Sequence, residues 1–125
     1  MEFMPGGTIV VKHAFWTAQA AWYEGLASIA RAGTGIIADE VFLDGGHSQA
    51  RLQKALHGLD VAWVGVRCAS EIAEARELQR ADRVRGLARD QAERVHEGVR
   101  YDITVDTTDT PSAACATLIA DTLEV

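Results

Sequence analysis

Apolar and polar positions follow a period that changes from block to block along the chain. Between Lys12 and Ala32, the residues Phe15, Trp22, Leu26 and Ile29 recur at intervals of seven, four and three. That spacing puts them on one face of an amphipathic helix, and Gly33 stands where such a helix stops. Ahead of it, the apolar stretches Met1–Met4 and Thr8–Val11 flank Pro5-Gly6-Gly7, which predicts a hairpin over residues 1–11 with a Gly-rich turn. Gly35-Ile36-Ile37-Ala38 is a short apolar run closed by Asp39-Glu40, the pattern of a buried parallel strand with acidic groups at its carboxyl end. Asp44-Gly45-Gly46 then turns the chain into a helix from about Ser48 to Leu56.

Val61 to Val66 is apolar without interruption and predicts a second buried strand. Ser70 suits an N-cap, with Glu71 and Glu74 in the first turns where the helix dipole favours negative charge. The helical pattern runs on to about Val95, with a break near Gly86. A third strand, Tyr101 to Val105, ends at Asp106. Thr110-Pro111 opens a last helix whose Cys115, Leu118 and Ile119 lie three and four positions apart. Strands alternating with helices predict an α/β fold: a parallel sheet with flanking helices and right-handed crossovers, in a single domain over residues 1–125.

Composition narrows the function classes. Twelve Lys and Arg against 18 Asp and Glu give a net charge of -6, which disfavours general nucleic-acid binding. No run approaches the ~18 apolar residues of a membrane span, and Met1 to Gly7 lack the halves of a secretion signal, so a cytoplasmic protein is expected. Cys68 and Cys115 are too few and too far apart for a disulfide framework or a metal motif, and both are expected as small buried groups.

In open parallel sheets, ligands bind beyond the carboxyl ends of the strands. Asp39-Glu40, Arg67-Cys68 and Asp106-Thr107-Thr108 occupy such ends. A carboxylate there suits metal or proton chemistry, although acidic residues also simply end strands. Ten Arg occur, and six of them (Arg76, Arg80, Arg83, Arg85, Arg89, Arg94) lie between positions 76 and 94. On one helix, Arg76, Arg80 and Arg83 form a single cationic edge suited to a polyphosphate. The interleaved Glu77, Asp82, Asp90 and Glu93 equally suit a solvated, ion-paired helix. His13, His47, His57 and His96 show no metal-ligand spacing, and no protein metal ligand is assigned. His96 is expected to cap or pack, and Ser48 and Ser70 to be N-caps. Trp16 and Trp22 suit either an aromatic substrate pocket or a core-facing helix side, with the core expected for Trp22.

Several stretches, in fixed order, carry a resemblance. Ile36 to Leu43, Asp60 to Cys68, Asp82-Arg83-Val84, Val95 to Asp102 and Val105 to Thr108 closely resemble the chloramphenicol phosphotransferase family, from about Met1 to the C-terminus. The resemblance implies a P-loop kinase-like three-layer sandwich that transfers the γ-phosphoryl of ATP, with Mg²⁺, to a hydroxyl of chloramphenicol or a similar small molecule, an antibiotic-resistance activity. Carried over by position, Asp39 resembles the acidic residue facing the reaction centre and the acceptor. Arg80 and Arg83 resemble lid arginines that close on the ATP phosphates, within a lid region spanning 76–95. Asp106 and Thr107 resemble the loop near the nucleotide base. Trp16 and Trp22 lie on a helix that resembles the acceptor-side wall.

A P-loop kinase cradles phosphate on a Gly-rich turn ending in Gly-Lys-Ser/Thr, and no such sequence occurs in these 125 residues. The resemblance therefore implies a partial domain lacking the family's first two strands, from a truncated gene or a misplaced start codon. The central phosphate-binding strand would lie between the strands expected at Gly35–Ala38 and Val61–Val66. Without it, backbone groups there would be unpaired at about 1–3 kcal/mol each, leaving the chain marginal, re-paired or dependent on a partner, and inactive alone. The alternative is a non-catalytic nucleotide-binding or interaction module that kept the arginines. The expected partner is a small-molecule hydroxyl substrate, with no nucleic acid and no membrane, and homo-oligomerisation is left open.

Overall fold

The computed structural model describes residues 1–5 and 8–125. Nine elements follow in order: β1 (Glu2–Phe3), β2 (Ile9–Val10), α1 (His13–Arg31), α2 (Gly46–Ala55), β3 (Val64–Arg67), α3 (Ser70–Leu78), α4 (Leu87–Arg94), β4 (Ile103–Asp106) and α5 (Ser112–Leu123). The architecture is mixed α/β. β3 and β4 form a small parallel sheet with helices around it, consistent with a P-loop kinase-like fold. β1 and β2 pair antiparallel, Glu2 opposite Val10 and Phe3 opposite Ile9, as the N-terminal pattern predicts. The turn residues Gly6 and Gly7 lie outside the described residues.

Helix α1 forms where its apolar period predicts, and Gly33, at φ +93°, follows its C-cap Ala32. Its buried side is rotated from the expected one. Gln19, Tyr23, Leu26 and Ala27 face inward, while Trp22 is 55% and Ile29 49% exposed, so the core expectation for Trp22 is corrected. Tyr23 outcompetes Trp22 for the interior because it meets Phe42, Leu52 and Ala55, the buried cluster it shares with Leu26. Burial is also the main reason the Tyr23 phenol is pushed up to about 12, with the nearby Glu40 adding to the effect. Gly25, inside α1, has open space where a Cβ would project. Gly25→Ala is therefore expected to raise stability by about 0.5–1 kcal/mol in urea denaturation, because alanine loses less backbone entropy in a helix.

The run Gly35–Ala38 is not a strand. Residues 34–42 form no regular element, and Ile37 is 102% exposed. A strand needs a hydrogen-bonded neighbour, and none lies beside this segment among the described residues. Among the described residues β3 pairs on one side only. The Trp63 carbonyl accepts from Ile103 N–H and the Arg67 carbonyl from Thr107 N–H, so strand alternation turns the backbone groups of Val64 and Val66 toward the other edge. That edge carries no strand among the described residues, and Val66 is 54% exposed.

The helical pattern from Ser70 to Val95 does break at Gly86, the N-cap of α4, but the interruption is a loop over 79–86 between two helices. Buried Glu77 explains the break, because its carboxylate accepts the N–H groups of Gly86 (2.7 Å) and Ala88 (2.8 Å) at the start of α4. An anion at a helix N-terminus satisfies orphan donors and complements the dipole. Arg76 thus stays on α3 while Arg80 and Arg83 stand in the loop, and the single cationic helix edge does not form. The capping assignments shift as well. Ser48 lies inside α2 after Gly45, and Ser70 is the first helical residue after Ala69, with no side-chain cap at either site. Cys115 is buried as expected, whereas Cys68 is only half-buried. Among the described residues no helix is long and apolar enough to cross a membrane.

Two buried contacts hold α2 to the segment before β4. Gln49 clamps the backbone of Arg100, donating to its carbonyl (2.6 Å) and accepting its N–H (2.9 Å). Gly46 donates to the Glu97 carbonyl at 2.8 Å, and a Cβ on Gly46 would collide with the Gly98 carbonyl. These contacts set the position of the 40–46 segment, from which one wall of a groove is built.

Candidate functional site

The carboxyl ends of β3 and β4 are tied together. Thr107 donates both its N–H (2.8 Å) and its hydroxyl (3.1 Å) to the Arg67 carbonyl, and the Thr108 hydroxyl accepts Ala69 N–H at 2.8 Å. Arg76 reaches in from α3, donating to the carbonyls of Thr107 (2.7 Å) and Thr108 (3.4 Å) and toward Cys68 Sγ (3.5 Å). Asp106 is exposed, and hydrogen bonds from Thr108 hold its carboxyl below the ordinary value. Arg76, read from its spacing as part of a phosphate edge, is occupied with backbone carbonyls. Beneath this loop, His96 Nδ1 and the Tyr101 hydroxyl share a hydrogen bond of 2.5 Å. Burial, with the Arg67 charge adding to it, holds the His96 imidazole below its ordinary value and favours its neutral form, partly offset by a hydrogen bond to the Val66 backbone.

A separate groove of ≈ 470 Å³ runs between the hairpin, α1, the 40–43 segment and α4. Phe3, Phe15, Trp22, Val41 and Leu87 line it with apolar surface, and Glu40, Arg83 and Gln91 add polar groups. Such a balance, apolar walls with a few convergent polar groups, is that of a small-molecule site. The Trp22 indole N–H donates to Glu40 Oε1 at 2.6 Å, which accounts for an aromatic on the outer side of α1. Arg83 makes no ion pair among the described residues.

A smaller cavity of ≈ 190 Å³ adjoins the groove and shares Ile9, Leu43 and Gln91 with it. Trp16, Asp44, Asp90 and Arg94 line it. The Arg51 guanidinium lies 4.6 Å over the Trp16 ring and binds Asp44 through two bonds of 2.8 and 3.0 Å. Burial opposes ionisation of Asp44, but hydrogen bonds from Arg51 and Ser48 and the charge of Arg51 outweigh it and hold the carboxyl below its ordinary value. The Asp44 contribution to stability is therefore complete above the ordinary carboxylate range and is lost as pH falls through the lowered folded value. Urea midpoints at pH 7 and pH 3 should accordingly differ less for Asp44→Asn than for the parent chain, and an equal difference would contradict this assignment.

The six positions singled out from sequence do not converge. Asp106 and Thr107 share the strand-end knot. Arg83 lines the groove and Trp16 the adjoining cavity, while exposed Asp39 and Arg80 line neither. Glu40, next to Asp39, is the carboxylate that faces the groove. Phe15, Trp22, Leu87 and Gln91 are the groove residues that the sequence did not single out as a set. Their available signal was the seven-residue spacing of Phe15 and Trp22 and the four-residue spacing of Leu87 and Gln91.

A mixed α/β fold with a parallel pair, and beside it a loop whose Arg80 and Arg83 make no ion pair among the described residues, is consistent with a P-loop kinase-like chain. The sequence model described as chloramphenicol phosphotransferase-like protein matches residues 1–124, and the chain belongs to that family. No curated protein matches it. Family membership implies phosphotransferase chemistry with a nucleotide and a metal in general terms.

The residues present fit those groups only in part. Arg80 and Arg83, which make no ion pair among the described residues, suit anionic oxygens. The backbone cradle, lysine and metal-binding hydroxyl of a Gly-Lys-Ser/Thr turn do not occur in these 125 residues. The donor set that would hold the ATP phosphates and Mg²⁺ is thus incomplete in these residues.

Proposed function

We propose that the chain serves an ATP-dependent phosphotransferase of the antibiotic-resistance type, acting on a hydroxyl of chloramphenicol or a similar small molecule, and that the groove holds this acceptor. The observation that carries the proposal is the convergence of Glu40 and Arg83 on one groove with aromatic walls, in a chain of this family. Phe3, Phe15, Trp22 and Leu87 bury the apolar body of the acceptor. Glu40, anchored on the Trp22 indole, orients a polar group. Arg83, on the 79–86 loop beside Arg80, would place positive charge beside a phosphoryl group brought to that acceptor. Asp106 and Thr107, knotted at the strand ends, are assigned to the nucleotide side. ATP as donor implies the cytoplasm as the compartment.

The same 125 residues contain no Gly-Lys-Ser/Thr turn, which favours binding without turnover. The expected result is saturable binding of chloramphenicol by calorimetry, with no phosphoryl transfer from radiolabelled ATP by these residues alone. Absence of chloramphenicol binding at millimolar concentration overturns the acceptor assignment. Measured transfer overturns the expected inactivity and supports the kinase reading.

A further inference from the structure

The groove carries one carboxylate and one guanidinium, and no ion pair joins them. Glu40 Oε1 is taken by the Trp22 indole N–H at 2.6 Å, and no other hydrogen bond reaches Glu40 among the described residues. Oε2 therefore keeps its accepting capacity, on a carboxylate whose orientation the indole has already fixed. The surrounding walls are aromatic and aliphatic, so a ligand that covers this oxygen without offering it a donor displaces its water and puts no hydrogen bond in its place. Arg83 offers only donors. A cationic ligand would satisfy Glu40 and oppose Arg83, and an anionic one the reverse.

We infer that Glu40 sets acceptor specificity by taking a hydrogen bond from the ligand hydroxyl at Oε2, with Arg83 facing an oxygen acceptor of the same ligand. This rests on the groove being the acceptor site and assigns that site its specificity-determining carboxylate. Glu40 sets specificity through the ligand hydroxyl, and Trp22 is a positioning residue acting through Glu40. A site built to bond a hydroxyl rejects an analogue that lacks the donor far more strongly than an apolar pocket rejects a change of size.

Calorimetric titration of the 125-residue chain with chloramphenicol, and with chloramphenicol carrying methyl ethers at both hydroxyls, tests this. The parent chain is expected to bind the ether about tenfold or more weakly. In Glu40→Ala, chloramphenicol binding falls by a similar factor and the difference between the two ligands disappears. In Glu40→Gln, whose amide oxygen still accepts, part of the difference remains. Arg94→Gln, outside the groove lining, leaves the ratio unchanged.

Equal affinity of the parent chain for both ligands overturns the inference while leaving the groove as the acceptor site, and does so even if Glu40→Ala fails to fold. A ligand ratio that persists unchanged in Glu40→Ala overturns it too. If neither ligand binds the parent chain, the acceptor assignment fails and this inference falls with it.

Discussion

Phe42→Ala is expected to lower stability by about 3–4 kcal/mol in urea denaturation, through lost burial and the cavity left behind. Phe42 is only 9% exposed, belongs to the buried cluster with Tyr23, Leu26, Leu52 and Ala55, and lies with its ring centroid 6.3 Å from that of Trp63. This cluster is small, so one ring is a large share of it. The site suffers as well, because Phe42 anchors the segment that presents Glu40, Val41 and Leu43 to the groove. Chloramphenicol affinity should therefore fall with stability. Ile37→Ser, a few residues away at a fully exposed position, should change stability by less than about 0.5 kcal/mol. A small loss in Phe42→Ala, or a large one in Ile37→Ser, contradicts this account of the core.

Gly46→Ala carries the second large effect, about 3 kcal/mol, at a site with no apolar contact to lose. The added methyl would meet the Gly98 carbonyl, and the neighbouring Gly45, at φ +56°, faces the Glu97 carbonyl in the same way. Backbone lies on both sides of the contact, so no side chain can rotate to relieve it. Gly46 N–H also donates to Glu97 at 2.8 Å, and separating the two backbones weakens that bond. Chemical denaturation compared with Gly25→Ala provides the test, since the two Gly-to-Ala changes are expected to have opposite signs. A stabilising Gly46→Ala shows that the two backbones do not approach as described.

Much of the fold was legible because its signals are local. The α1 period and Gly33 mark that helix and its end, and the apolar run before Arg67 marks β3, whose ladder spans Val64–Arg67 rather than the whole run. What escaped depends on partners distant in sequence. Ile36-Ile37 has the composition of a buried strand, yet composition does not say whether a neighbour exists to pair with it. The break near Gly86 was legible, but its widening into a loop over 79–86 accompanies the Glu77 cap on the following helix, an interaction no local period displays. Trp22 and Tyr23 are adjacent, and a rotation of α1 by one position exchanges which is core and which is groove wall.

The site was legible in the same uneven way. Its acidic pair was visible at 39–40, but only the backbone path after residue 34 decides that Glu40 rather than Asp39 faces the groove. The arginine cluster was visible as a run. Its division into Arg76, engaged with Thr107 and Thr108, and Arg83, lining the groove, follows from where α3 stops.

The central claim is that the acceptor occupies the groove between the hairpin, α1 and α4. Titrating isotopically labelled protein with chloramphenicol and following ¹H–¹⁵N shifts tests it most directly. The account predicts that the largest changes fall on the Trp22 indole N–H and the amides of Phe15, Glu40, Leu87 and Gln91. Changes confined to Arg67–Cys68 and Asp106–Thr108, with the Trp22 indole unmoved at saturation, would contradict it.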